Sequence, residues 1–174
     1  MMSLSNKNVK KTAVFSLLLA LAVLMGYLEM LIPFSFGIPG IKLGLANFII
    51  VIVLYLYSAK WAYALSILRV LIIGALFSNY SMVLYSLCGV CFCIPLMFFL
   101  KKSERFSVVG VSAGGGVMHN IGQFTAAYIV LPSPALFYYL PFLMLAGLAA
   151  GILIGLLVQI TLPRIKKGIR KFYF

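Results

Sequence analysis

The stretch from Gly114 to Gln123, GGGVMHNIGQ, holds the chain's single histidine and two carboxamides inside a long apolar run. On a helix, His119 and Gln123 lie four apart and Asn120 and Gln123 three apart, so the three side chains share roughly one face. Gly115 and Gly116 lie one turn below His119 and Asn120. They leave that surface bare, open to close approach by another helix or a ligand. Polar groups at membrane depth are costly and usually face a bundle interior or a wet cavity. The chemistry within reach of these residue types is hydrogen-bonded recognition of a small molecule. Relay catalysis would need a Ser, Cys or carboxylate working with the imidazole. None adjoins His119 in the sequence, so it reads as a pocket residue and no catalytic residue is expected.

Five further polar residues stand out against apolar surroundings: Glu29, Lys42, Asn47, Arg69 and Asn79. Arg69 falls in the middle of an apolar run, where a lone cation needs a partner or a ligand. Two cations against one carboxylate leave an excess of positive charge that an anionic or electron-rich ligand would compensate. The alternative is an internal polar network, with Glu29 neutralising Arg69 or Lys42 and the amides capping broken backbone. Cys88, Cys91 and Cys93 form a CxxCxC string, but there is no second Cys pair and the only His is elsewhere, so no metal site is expected. Nor is there a G-x-x-x-x-G-K-[ST] loop for ATP, and no cofactor is implied.

Composition sets the environment that must position these groups. Of 174 residues, 64% are hydrophobic and only 9% charged, against about a quarter charged in a soluble domain. Apolar runs of about 20 residues indicate membrane-spanning helices rather than barrel strands. The formal net charge is +12. Its placement at segment ends and tails argues for anionic lipid head groups as partners and against nucleic acid.

The expected fold is all-α, one integral membrane domain over 1–174 with six transmembrane helices at about 12–32, 41–58, 60–77, 82–100, 106–131 and 135–162. The basic start followed by an apolar run could be a signal peptide, but the run is long and lacks a clear A-x-A site, so a retained first helix is expected. Pro33 ends it, and PFSFGIPGIK forms an apolar loop. Pro95 is expected to kink the fourth span. Gly and Ser near the start of the fifth predict a late or broken helix at Gly114 to Gly116. Thr12, Ser16 and Ala20 recur every fourth residue, a candidate partner-docking stripe, and Ala22 and Gly26 recur on another face. Gly147, Gly151 and Gly155 form a packing stripe, on which a structural role in a larger membrane complex would also rest.

Twelve of the 14 Lys and Arg fall on one side in this scheme, which places both termini in the cytoplasm of a multi-pass cell-membrane protein. Glu29, Lys42, Asn47, Arg69, Asn79, His119, Asn120 and Gln123 then all lie at the midplane or in the outer half. That asymmetry predicts an outward-opening pocket for a small-molecule ligand, roofed by the first loop.

The motifs PGIKLGLAN (Pro39 to Asn47) and GVMHNIGQ (Gly116 to Gln123), with LAGLAAGILIGLL in the last span, carry a resemblance across nearly the whole chain. The chain resembles the family labelled Gx transporter, also called heptaprenyl diphosphate synthase component I. That family is similar to the substrate-binding S components of energy-coupling-factor transporters. The resemblance implies six helices, cytoplasmic termini and an outward pocket for a vitamin-like molecule under the first loop. It also implies docking on a transmembrane T component through small residues of the first helix, with two ATPase subunits supplying energy. The Thr12, Ser16, Ala20 stripe departs from the Ala-xxx-Ala pattern of those proteins. The family's other label implies an accessory subunit in heptaprenyl diphosphate synthesis. Catalysis of prenyl transfer by this chain alone is not expected. It has no Asp, and its two acids, Glu29 and Glu104, fall on opposite sides of the membrane in this topology.

Overall fold

The computed structural model describes residues 4–31, 44–77 and 80–173. Six α-helices account for nearly all of them: α1 (Leu4–Leu31), α2 (Leu45–Leu56), α3 (Ala59–Phe77), α4 (Tyr80–Lys102), α5 (Val108–Val130) and α6 (Leu140–Tyr173), with a 3-10 turn at Pro134–Tyr138 before α6. Among the described residues there is no strand.

Four of the helices are long and apolar enough to cross a membrane: Val9–Leu31, Ala59–Phe77, Tyr80–Lys102 and Leu140–Gly168. Helix α2 is shorter than the expected span at about 41–58. Gly44 sits in the left-handed region at φ 73° and the helix begins only after it, so it has 12 residues. That is about 18 Å of helix, short of a hydrocarbon core of about 30 Å. Helix α5 has 23 residues but carries the polar stretch, and it stands outside that group of four.

Helix α2 is the hub. Its sequence, LANFIIVIVLYL, is apolar apart from Asn47, as suits a helix covered on most sides. Six consecutive residues, Ile49 to Leu54, are buried, and α2 packs against α1, α3 and α6. Helices α4, α5 and α6 form the other tightly packed set. Glycine sets that closeness. A methyl group at Gly116 would fall 2.2 Å from the Gly147 carbonyl oxygen, and one at Gly151 would fall 2.7 Å from Ala113 Cα. The Gly147, Gly151, Gly155 stripe is therefore spent on α5 within the chain. Gly114 and Gly115 face Leu100 and Met97 of α4. Gripped on both sides and capped by Ser107, whose Oγ accepts from the Gly110 amide at 3.2 Å, α5 is unbroken where a break was expected.

Two other expected boundaries move for definable reasons. Helix α1 extends back to Leu4 through the polar start. Helix α6 does not stop at Pro163 but runs on to Tyr173. Proline removes one helical hydrogen bond, and the turn around it is held by Leu162, which is buried, and Ile165, which packs against the core. Pro95 likewise lies inside α4. The carbonyl it leaves without an amide is that of Cys91, four residues earlier. The Tyr63 hydroxyl of α3 donates to this oxygen at 3.2 Å, so the neighbouring helix supplies the donor that proline lacks.

The bundle has two distinct ends. At one, Phe15 and Trp61 stack edge to face at 5.0 Å, Tyr57 lies 6.1 Å from Trp61, and Lys101 Nζ donates to the Leu54 carbonyl at 2.6 Å. Leu54 belongs to the last turn of α2, where carbonyls lack intrahelical partners. Lys101, which also lies over the Tyr55 ring at 4.9 Å, caps α2 from across the bundle. At the other end Tyr27 meets Phe77 at 4.7 Å, and Phe137 meets Phe124 and Tyr128 at 5.2 and 5.3 Å. Aromatic rings at both ends of an apolar bundle match the two interfaces of a bilayer.

Candidate functional site

A cavity of about 380 Å³ opens between the two helix sets, and Glu29, Asn47, Arg69, His119, Asn120 and Gln123 all line it. These are six of the eight residues expected to form a pocket, drawn from α1, α2, α3 and α5. Lys42 and Asn79 lie outside the described residues, as does the loop expected to roof the site.

Each side chain is held by a local reason. Gly44, in its left-handed conformation, turns the chain into α2 and points its amide at Glu29 Oε1, which accepts it. The Gly44 carbonyl accepts from the Asn47 amide at 2.7 Å. That turn brings Glu29 and Asn47 to the same rim. Asn120 Nδ2 donates to the Leu143 carbonyl of α6 at 2.6 Å, beside the Gly116–Gly147 contact. The His119 ring fills the space over Gly89 of α4, where an added methyl would lie 2.6 Å from Cε1. The bare Gly89 is thus what seats the imidazole.

Arg69 is different. Its Nε is buried with no hydrogen-bond partner, and the guanidinium makes no direct ion pair among the described residues. Glu29 is within electrostatic reach of it, but that carboxylate already accepts the Gly44 amide. A buried guanidinium presents five N–H donors and no acceptor, and leaving such a group unpaired is costly. The internal-network alternative is therefore half right. Glu29 and Asn120 are tied to backbone, whereas Arg69 Nε has no hydrogen-bond partner among the described residues.

Three signals were missed in the sequence. Ser86, Ser112 and a thioether wall that includes Met30, Met82 and Met97 also line the cavity. Single serines and methionines in apolar helices carry no spacing that marks them. The anticipated docking stripe is on the surface: Thr12, Ser16 and Ala20 are all exposed, while Ala22 and Gly26 of the same helix are buried. Cys88, Cys91 and Cys93 are free thiols, and among the described residues no three His, Cys, Asp or Glu gather as metal ligands.

Fold and cavity define a helical membrane bundle with a chamber lined by polar residues. A family model described as heptaprenyl diphosphate synthase component I matches residues 18–161, and the chain belongs to that family. No curated protein and no solved structure matches it. The family is described as a synthase component, which fits a chain that is not itself an enzyme. The acids of the chain are disposed accordingly: Glu29 faces the cavity and Glu104 is exposed in the loop after α4.

Proposed function

We propose that the chain is the substrate-binding subunit of a small-molecule uptake system, with the cavity as the binding site. One observation carries this reading. Polar residues from four helices line one cavity in which Arg69 Nε has no hydrogen-bond partner among the described residues, whereas an internal network would supply one. Arg69 supplies charge to the ligand. His119, Gln123, Asn47 and Asn120 supply direction. Helices α2 and α5 complete a six-helix arrangement of the S-component kind. The basic ends lie in the cytoplasm by the positive-inside rule, so the chamber faces outward. The exposed Thr12, Ser16, Ala20 face of α1 is the docking surface for a transmembrane T component, with ATPase subunits beneath it.

The family's description favours a second reading, an accessory membrane subunit associated with heptaprenyl diphosphate synthesis. A compact chamber suits uptake better than it suits a long prenyl chain. The test is to compare ligand retention with membrane insertion. Arg69→Ala and His119→Ala should weaken ligand binding at least tenfold while folded, inserted protein stays near the wild-type level. Equal losses of ligand and folded protein in both variants would return the site to an internal structural network.

A further inference from the structure

Resting on the binding-site reading above, we infer that the ligand is a compact organic monoanion, paired through its anionic oxygens with Arg69, and not a diphosphate or a long prenyl chain.

Charge limits the head group. Among the described lining residues Arg69 is the only cation and Glu29 the only acid, so the chamber is close to neutral. One carboxylate-like group satisfies the guanidinium in bidentate fashion. Among these described residues, the several negative charges of a diphosphate would meet one cation and a repelling carboxylate. Volume limits the body. A cavity of about 380 Å³ lies toward the small end of ligand pockets. That suits a compact ligand. A heptaprenyl chain of roughly 35 carbons, at about 30 Å³ each, needs on the order of 1,000 Å³.

The lining limits shape. The thioethers of Met30, Met82 and Met97, which adapt to and favour aromatic surfaces, line the cavity together with Arg69, so a flat ring system with its anion toward Arg69 suits this lining.

The experiment uses the full-length protein in nanodiscs and a matched pair of probes, 2-naphthoate and 2-naphthamide, with isopentenyl and farnesyl diphosphates as the competing class. Binding is read by isothermal titration and by the shift in thermal midpoint. Naphthoate should bind at least tenfold more tightly than naphthamide, and the diphosphates should give no shift. Arg69→Gln should abolish the preference for the anion, while Arg69→Lys, which keeps the charge, should retain part of it. Equal binding of naphthoate and naphthamide, or a preference that survives Arg69→Gln, overturns the monoanion assignment and leaves the uptake reading standing. Tight binding of a diphosphate with none of naphthoate overturns both. Silence from all four probes overturns the assignment as drawn, because the chamber's size and charge admit naphthoate.

Discussion

The three consecutive glycines of α5 give the sharpest test of how the bundle is built. Gly116→Ala places a methyl group 2.2 Å from the Gly147 oxygen, 3.1 Å from its carbonyl carbon and 3.3 Å from Gly151 Cα. All three atoms are backbone, so no rotamer can give way, and α5 and α6 must part by roughly an ångström. Overpacking of that kind costs about 1–3 kcal/mol. The same displacement strains the 2.6 Å bond from Asn120 to Leu143, worth about 1 kcal/mol. Less the roughly 1 kcal/mol of helix propensity that alanine gains over glycine, the expected loss is about 1–3 kcal/mol. Gly115→Ala and Gly114→Ala meet Met97 Sδ at 2.5 Å and Leu100 Cδ1 at 2.7 Å. Both are ends of flexible side chains, and alanine gains about 1 kcal/mol of helix propensity over glycine, so each should lie within about 1 kcal/mol of wild type. Unfolding of the three variants by SDS titration in mixed micelles measures the ranking. Three equal losses, or a Gly116→Ala protein as stable as Gly114→Ala, would refute the claim that α5 and α6 touch through backbone.

Other perturbations address single contacts. Tyr63→Phe should cost about 1 kcal/mol, because it leaves the Cys91 oxygen without a donor. In a Pro95→Ala background, where residue 95 regains an amide, the cost should vanish, and a double-mutant cycle in the same titration reads the difference. Lys101→Met keeps the side-chain stem but removes the cap on α2 and should cost about 1.5–3 kcal/mol, whereas Lys102→Met should be close to neutral in thermal midpoint. Gly89→Ala should displace the His119 ring and weaken ligand binding several-fold, with little change in folded yield by fluorescence-detected size exclusion.

Much of this was legible in the sequence because membrane chemistry is unforgiving. An Arg, a Glu, a His and three amides in apolar runs have few places to go, and reading depth along antiparallel spans brings Glu29, Asn47, Arg69, His119, Asn120 and Gln123 to one chamber. The Gly147, Gly151, Gly155 repeat was legible as packing, but spacing alone does not say whether the partner is internal, and the partner is α5. Helix ends were the least legible. Pro163 reads as a stop, yet Leu162 and Ile165 hold the turn around it. Gly-rich Gly114 to Gly116 reads as a break, yet tertiary contacts on both sides keep α5 whole. The start of α2 depends on the left-handed conformation at Gly44, which an apolar run does not reveal. Lys101 counted in the sequence only as an orientation signal, because its acceptor, the Leu54 oxygen, is a backbone atom 47 residues away.

The central claim is that the chamber holds a small molecule for uptake. Native mass spectrometry of the protein, purified gently from its own host, tests it most directly. The account predicts a bound polar molecule of one negative charge, retained by wild type and absent from Arg69→Gln, with or without co-purifying T-component and ATPase partners. A prenyl diphosphate, a co-purifying soluble prenyl synthase, or a protein carrying lipid alone would contradict it.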